Sequence, residues 1–598
     1  MGLLGQLVSH VRQVLAAGVP GSALTPAQAD EQCGLFRQAL DDGDLARAAG
    51  VEQALVAQRV QRPDMVLLRG RLAHARGEAE QALQHFLSVL DYTDTTADAH
   101  FWCAVVHMQQ GREAEALKHA RQAEYLRPGN AQMLALIGTV HHHQGDTPSA
   151  IAAFDSALRA DPEDTNALAS VAAIYFHQQQ WSELLPLYRR LLAQQPGTPD
   201  MLCACATTLL ALGQTEEAWL MFEQAIAGAG ARANIHADYA TALFRDGQLD
   251  AARAQLAAAL RLKPDDAMIH VGSAGCDLIA NGSTPAAWAQ YEWRRKVVPA
   301  HFAERSPPWS GEPLAGKRVL IYNEQGIGDW LLFSRFIPLL ADASQHTVLQ
   351  IPPALSRLAR ASAARFGWNV AEWIESFARV EQDIARCDYE MPLLSAIHSR
   401  GFAVKKAGTP YLHVNDELVA QWSEQLGLAS DQRLRIGLVW AGNPVRADDY
   451  LRSIPLEQLA ALGQVKNVIF VSLQMDARSP HKAAPLPFDL VDATPGIRDF
   501  ADTAAIMRNL DLMLSIDTAA AHLAGALAVP CWVLLSRVLD WRWQMGGVEQ
   551  PWFANHRSFR VTQPHGWAVL MQRVTAEIDQ QRDALMARRG GRAANKAR

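Results

Sequence analysis

Tyr322-Asn323-Glu324-Gln325-Gly326-Ile327-Gly328-Asp329-Trp330-Leu331-Leu332-Phe333, entered through Val319-Leu320-Ile321, reads as a strand, a glycine turn and a helix in one run. Residues 319–321 are the buried parallel strand, Gly326 and Gly328 make the turn, and 330–340 form the helix. Glycines in such a unit let backbone approach a ligand, and the free N–H groups at the helix start favour an anion. A second junction of this kind, Ser515-Ile516-Asp517-Thr518-Ala519-Ala520-Ala521-His522-Leu523-Ala524, follows later in the chain. Two such junctions imply two facing α/β halves with a cleft between them.

Working outward, strands alternate with helices: 346–351, the helix 353–366, the run 387–394, a linking helix 417–426, and strands at 434–440, 468–473, 512–516 and 531–535. This alternation implies parallel sheets covered on both faces, which bind ligands beyond the carboxyl ends of their strands. Upstream, Pro307-Pro308-Trp309 and Gly311-Glu312-Pro313 mark a turn-rich connector over 299–316.

Before the connector the chain repeats. Gly77, Gly111, Gly145, Gly213 and Gly247 keep a spacing of 34, with Gln179 at the missing place. Five residues after each stands a small residue, Ala82, Ala116, Ala150, Ala218, Ala252 and in phase Ala286, with Leu184 as the exception. Pro128, Pro162, Pro196 and Pro264 close units in the same phase. One period shared by three series is the mark of a tetratricopeptide array of stacked helical hairpins. The glycines serve the turn and close helix approach, the alanines the packing of the second helix, the prolines its end. Gly43 and Ala48 extend the phase to a degenerate capping unit. The array is assigned to 27–298, after an N-terminal helix over 1–26, and its concave surface is expected to hold a protein or peptide.

The whole chain has 598 residues, 49% hydrophobic and 20% charged, with a net charge of −7, an ordinary globular composition without a basic field for nucleic acid. Seven scattered cysteines form no Cys-x-x-Cys pair, and no run approaches the ~18 apolar residues of a spanning helix. With no signal segment over 1–18, a reduced, cytoplasmic setting is expected. His141-His142-His143 points three ways around a helix and is not read as a metal site. Cys203 and Cys205 read as core packers.

A set of motifs carries a resemblance: Glu324 to Asp329, Val439-Trp440-Ala441-Gly442-Asn443-Pro444, Arg452-Ser453, Phe500-Ala501-Asp502-Thr503-Ala504, Asp517 to Ala524, and Asp540-Trp541-Arg542-Trp543. Together they resemble bacterial tetratricopeptide proteins that end in a glycosyltransferase domain similar to the ADP-heptose lipopolysaccharide heptosyltransferases. The resemblance implies an α-helical tetratricopeptide superhelix followed by an α/β GT-B domain of two Rossmann-like halves. These are 317–414 on the acceptor side and 415–575 on the nucleotide-sugar side, before a helix end and basic tail over 576–598. Ala519 stands where that family usually has glycine.

The implied chemistry is transfer of a sugar from a nucleoside diphosphate to a hydroxyl. Asp329, similar in place to the family's catalytic aspartate, is the candidate base, with capping of the helix from Trp330 as its other reading. Arg452 is the candidate diphosphate ligand, or else a salt-bridge partner. Asp517 and Thr518 open a helix whose amides face the leaving group, Asp517 either touching sugar or capping. His522 donates to phosphate or sugar, or is structural. Gly326 and Gly328 admit the donor, and Trp440, Asn443 and Gln474 line its nucleotide pocket, with core packing the rival role of Trp440. No metal and no cofactor beyond the donor sugar nucleotide is expected, since no Asp-x-Asp follows a strand of the second half. Three readings stay open: a protein O-glycosyltransferase acting on flagellin or another surface protein, a glycolipid transferase, and a scaffold whose transferase domain has lost its chemistry.

Overall fold

In a computed structural model of the chain, the described residues are 24–60, 62–92, 96–228, 232–297, 306–344, 346–375, 387–400, 407, 409–443, 449–475, 486–538, 540–543, 552–562 and 566–596. Most of the expected helix over 1–26, the start of the connector, Pro444 and the last two residues of the tail lie outside them.

Among these residues eight helix-turn-helix pairs run from Pro26–Asp41 with Leu45–Ala57 to Ala267–Asn281 with Pro285–Tyr291. Thr25 starts the first with a capping box, its hydroxyl accepting from the Gln28 amide while the Gln28 side chain accepts from the Thr25 amide. Each repeat glycine sits at the turn inside a hairpin with φ between +68° and +83°, and Gln179 takes φ +57° at the same place. A Cβ added at Gly43, Gly77, Gly111, Gly145 or Gly213 would meet nothing within 4 Å. These glycines therefore serve the left-handed turn, not the close helix approach expected of them. Close approach belongs to Gly70 and Gly138, where a Cβ would overlap the Phe86 and Phe154 rings. Gly70 and Gly138 lie in phase with buried Ala104, Ala172, Ala206, Ala240 and Ala274, a fourth series the sequence reading missed. The alanines of the second series are fully buried through Ala252, as is Leu184. Ala286 is the exception: it is exposed, and Ala287 is the buried residue. The last unit carries one extra residue, so that Gly282 rather than position 281 makes the turn at φ +73°.

Two compact units divide the chain, 1–218 and 219–598. The second begins well before the connector at 299–316 because the last hairpins share its core: Trp288, 1% exposed, stands edge-on to Phe333 and Trp541 with ring centroids 5.9 and 5.4 Å apart. The connector itself is tied down, with Trp309 buried and its amide donating to the Glu390 carbonyl at 2.9 Å.

This unit holds two parallel sheets. The first has β1 (Arg318–Tyr322), β2 (His346–Gln350), β3 (Glu372–Ile374) and β4 (Tyr389–Pro392) in the order β3-β2-β1-β4. The second has β5 (Leu434–Val439), β6 (Val468–Ser472), β7 (Leu490–Asp492), β8 (Leu512–Ile516), β9 (Cys531–Leu535) and β10 (His556–Arg560), ordered β10-β9-β8-β5-β6-β7. All six residues of β5 are buried, as both faces of a covered sheet require. Chain order reverses between β1 and β4 in one sheet and between β5 and β8 in the other, and ligands of open parallel sheets bind at such switch points. The strands β3, β7 and β10 were not anticipated. The C-terminal helix runs Trp567–Lys596, so the expected helix end and basic tail over 576–598 are helical in backbone as far as they are described.

Candidate functional site

A cavity of about 1020 Å³ lies beyond the carboxyl ends of β1, β5, β6, β8 and β9. Nine of the ten expected site residues line it: Gly326, Gly328, Asp329, Asn443, Arg452, Gln474, Asp517, Thr518 and His522. Trp440 does not. Along β5 side chains alternate, so Val439 and Ala441 face the cavity while Trp440, 2% exposed, packs with Leu434, Ile436 and Leu438 on the opposite face.

Asp329 is the third residue of the helix Ile327–Phe333, whose N-cap is Gly326; it is not the cap of a helix starting at Trp330. Its carboxylate accepts from Arg542 Nε at 2.9 Å and from Nη2, while Arg542 Nη1 donates to both Asp540 oxygens at 3.0 and 2.9 Å. Burial opposes the Arg542 charge, but Asp329 and Asp540 outweigh it and hold its pKa well above the usual range. The turn before Asp329 is braced from several sides. Arg294 Nε donates to Glu324 at 3.0 Å and Arg294 Nη2 to Ser395 Oγ at 2.8 Å; Gln325 donates to the Tyr291 hydroxyl at 3.3 Å.

Gly328 has a role the sequence did not announce. A Cβ there would stand 3.0 Å from His522 Cδ2 and 3.6 Å from Ala519 Cα, so this glycine lets the two halves' helices meet. His522 is 3% exposed and stacks on Trp543 at 4.9 Å between centroids. Burial, then the Arg542 charge, push its pKa well below normal, and it is held neutral.

Arg452 is held by Asp449, its Nε 3.1 Å from Oδ1, and its Nη1 donates to the Asp517 carbonyl at 3.1 Å across the switch point. Asp449 Oδ2 also accepts from Ser453 Oγ at 2.8 Å, and Ser453 Oγ accepts from the Gly442 amide at 3.1 Å. A Cβ at Gly442 would overlap Asp449 and Arg452, so the turn after β5 is shaped around this arginine. Gln474 is largely committed to the same turn, its Oε1 accepting from the Trp440 and Ala441 amides at 3.1 and 3.0 Å and its Nε2 donating to the Ala441 carbonyl at 3.1 Å. Asn443 is exposed on the cavity wall.

Thr518, not Asp517, is the N-cap of the helix Ala519–Ala526, and its side chain makes no capping bond. Asp517 Oδ1 instead accepts from Trp543 Nε1 at 2.6 Å. Burial and the neighbouring Asp540 raise its pKa to about 6 against the pull of Arg542. Asp449, Asp540 and Arg542 were missed as site residues; the motif Asp540-Trp541-Arg542-Trp543 was the available signal for two of them.

His141 is half-buried, His142 and His143 are exposed, and the last two rings stand perpendicular with centroids 6.3 Å apart. Cys203 and Cys205 are buried. Among the described residues no helix is long and apolar enough to cross a membrane.

Tetratricopeptide repeat models match residues 131–264 and 89–131. Protein FlbA of Caulobacter vibrioides is 26% identical over 359 residues, which are 56% of this chain and 59% of that protein. The chain thus spans about 59% of the length of that curated relative. A tetratricopeptide protein fragment of Cytophaga hutchinsonii is similar at TM-score 0.33 and 14% identity, covering 40% of this chain and 98% of that one. MamA is similar at TM-score 0.25 and 16% identity, covering 27% and 94%. The chain is a tetratricopeptide-repeat protein in its first part, with parallel sheets after it.

Proposed function

We propose that the chain is a glycosyltransferase of GT-B arrangement that moves a sugar from a nucleoside diphosphate to a hydroxyl of a polypeptide held by its repeats. The observation that carries this reading is the shared cavity: Asp329 after β1 faces the same space as Arg452, Arg542 and the start of the helix Ala519–Ala526. A carboxylate on one side and fixed cations with free amides on the other are what displacement at an anomeric carbon needs.

In this reading the acceptor oxygen bonds to the anomeric carbon while the bond from that carbon to the diphosphate oxygen breaks. The electron pair leaves with the diphosphate, and Asp329 takes the hydroxyl proton. A single displacement inverts the anomeric centre. Arg452 and the helix amides take up the diphosphate charge without a metal. Tetratricopeptide repeats typically bind peptides, which favours a protein acceptor; flagellin or another surface protein is the acceptor class proposed.

Calorimetric titration with ADP, GDP and UDP tests the reading. One of them is expected to bind the parent and to bind Arg452→Ala at least tenfold more weakly. Failure of all three to bind the parent would remove the transferase.

A further inference from the structure

The cavity wall is not made by the two sheets alone. Thr241, Phe244 and Arg245, from the end of the repeat helix Ala233–Arg245, line it as well. We propose that this helix end is the acceptor-recognition wall, and that Arg245 selects polypeptides with an acidic side chain beside the modified hydroxyl. The inference rests on the transferase reading and adds the acceptor's chemistry to it.

The two ends of the cavity can be told apart by topology. In the order β9-β8-β5-β6, residues after β9 and after β6 are three strand spacings apart, about 14 Å. The repeat helix sits at the β9 end. Arg537, just after β9, bonds Asp246 Oδ1 at 2.8 Å and donates to the Asp246 carbonyl at 2.9 Å. A Cβ at Gly247 would stand 3.6 Å from the Arg537 carbonyl, so the hairpin turn lies directly on that loop. Asp329 is tied to the same end through Arg542, two residues beyond Asp540. The opposite end sets the apolar side chains of Met475 after β6 and Ile497 and Phe500 beyond β7 beside polar Gln474, Arg498 and Asp499, a mixture that suits a nucleoside's base and its sugar hydroxyls. The group that receives the acceptor proton and the repeat wall therefore share one end. A residue presenting its hydroxyl to Asp329 places its neighbours against Thr241, Phe244 and Arg245.

Charge singles out Arg245 among the cations of the wall. Arg452 is paired with Asp449, Arg542 with Asp329 and Asp540, and Arg498 with Asp502. Arg560 donates to the carbonyls of Ser536, Val538 and Trp543. Arg245 is exposed, and its side chain has no hydrogen bond or ion pair among the described residues. A carboxylate brought in by the acceptor would find this guanidinium uncommitted, while Phe244 offers an apolar face beside it.

The test uses the full chain, a pool of nucleotide sugars and a Ser/Thr peptide library with Asp, Ala or Lys flanking the hydroxyl, read by mass spectrometry. The parent is expected to prefer Asp-flanked over Lys-flanked peptides by at least tenfold, and Arg245→Glu to reverse that order. Transfer by Arg245→Glu with the parent's preference would overturn the assignment. So would loss of nucleoside diphosphate binding in Arg245→Glu, which would place this arginine at the donor. Absence of both transfer and nucleotide binding in the parent overturns the transferase reading itself, and this inference with it.

Discussion

Arg542 Nε donates to Asp329 Oδ1 at 2.9 Å, joining residues 213 positions apart. The same guanidinium reaches Asp540 with Nη1, so one arginine balances two carboxylates, one from each half of the sheet-bearing unit.

Removing that arginine leaves the buried Asp329 carboxylate and the half-buried Asp540 carboxylate without their cation. Arg542→Met is expected to cost about 3–5 kcal/mol, as breaking a buried pair from one side does. Asp329→Asn with Arg542→Met should cost less than the sum of the two single changes. Urea denaturation of the three variants measures both.

Two buried groups pull stability in opposite directions with pH. Asp517 has its pKa raised by burial to about 6, above the ordinary 3.8, so the folded state binds more protons between these values. Its contribution therefore falls as pH rises from about 4 to 6, by on the order of 2–3 kcal/mol. Asp517→Asn keeps an oxygen for Trp543 Nε1 and should gain on the parent over that window. His556 is lowered by burial from 6.5 to about 4, its Nε2 donating to the Ala521 carbonyl at 2.9 Å. There the unfolded state binds more protons, so stability is lost as pH falls from about 6.5 to 4, and His556→Gln should reduce that loss. Denaturant midpoints from pH 4 to 7 check both signs.

The repeat turns give a local prediction. Gln179 sits at φ +57°, where its neighbours in the series have glycine. Gln179→Gly should stabilise by up to ~1 kcal/mol, the left-handed strain relieved less the added chain entropy. Gly138→Ala should cost about 1–3 kcal/mol, since its Cβ would lie 2.8 Å from the Phe154 ring. Thermal unfolding followed by circular dichroism reads both changes.

How much of this was legible follows from what each residue answers to. The 34-residue period was plain because a left-handed turn and a buried small position recur in every hairpin, each restricting its residue type on its own. The slip at Ala286 was hidden because a one-residue insertion leaves both neighbours alanine. The strands β1, β2, β5, β6, β8 and β9 declared themselves by apolar runs, whereas three-residue β3 and β7 and polar β10 carry too little pattern to stand out. Asp329 and Arg452 were visible as motif residues beside strand ends. Arg542 was not assigned as the partner of Asp329 because pairing across 213 positions depends on the fold, not on local pattern; Asp449, three residues before Arg452, lies within local reach and was overlooked. Trp440 was misassigned for want of knowing which face of β5 opens on the cavity.

Where the array ends and the sheets begin is also testable. A chain of residues 219–598 is expected to unfold in one cooperative transition. A chain of residues 299–598 should not, because it lacks Trp288 against Trp541 and leaves Glu324 without Arg294, whose Nη2 lies 2.6 Å from it. Differential scanning calorimetry of the two fragments decides it.

The central claim is that Asp329 takes the acceptor proton. Sugar transfer to a Ser/Thr peptide, measured as product mass against time for the parent and for Asp329→Asn after both are shown to be folded, tests it most directly. A fall of about 10²–10⁴-fold in rate with nucleoside diphosphate binding retained is the predicted result; equal rates in the two proteins would contradict it.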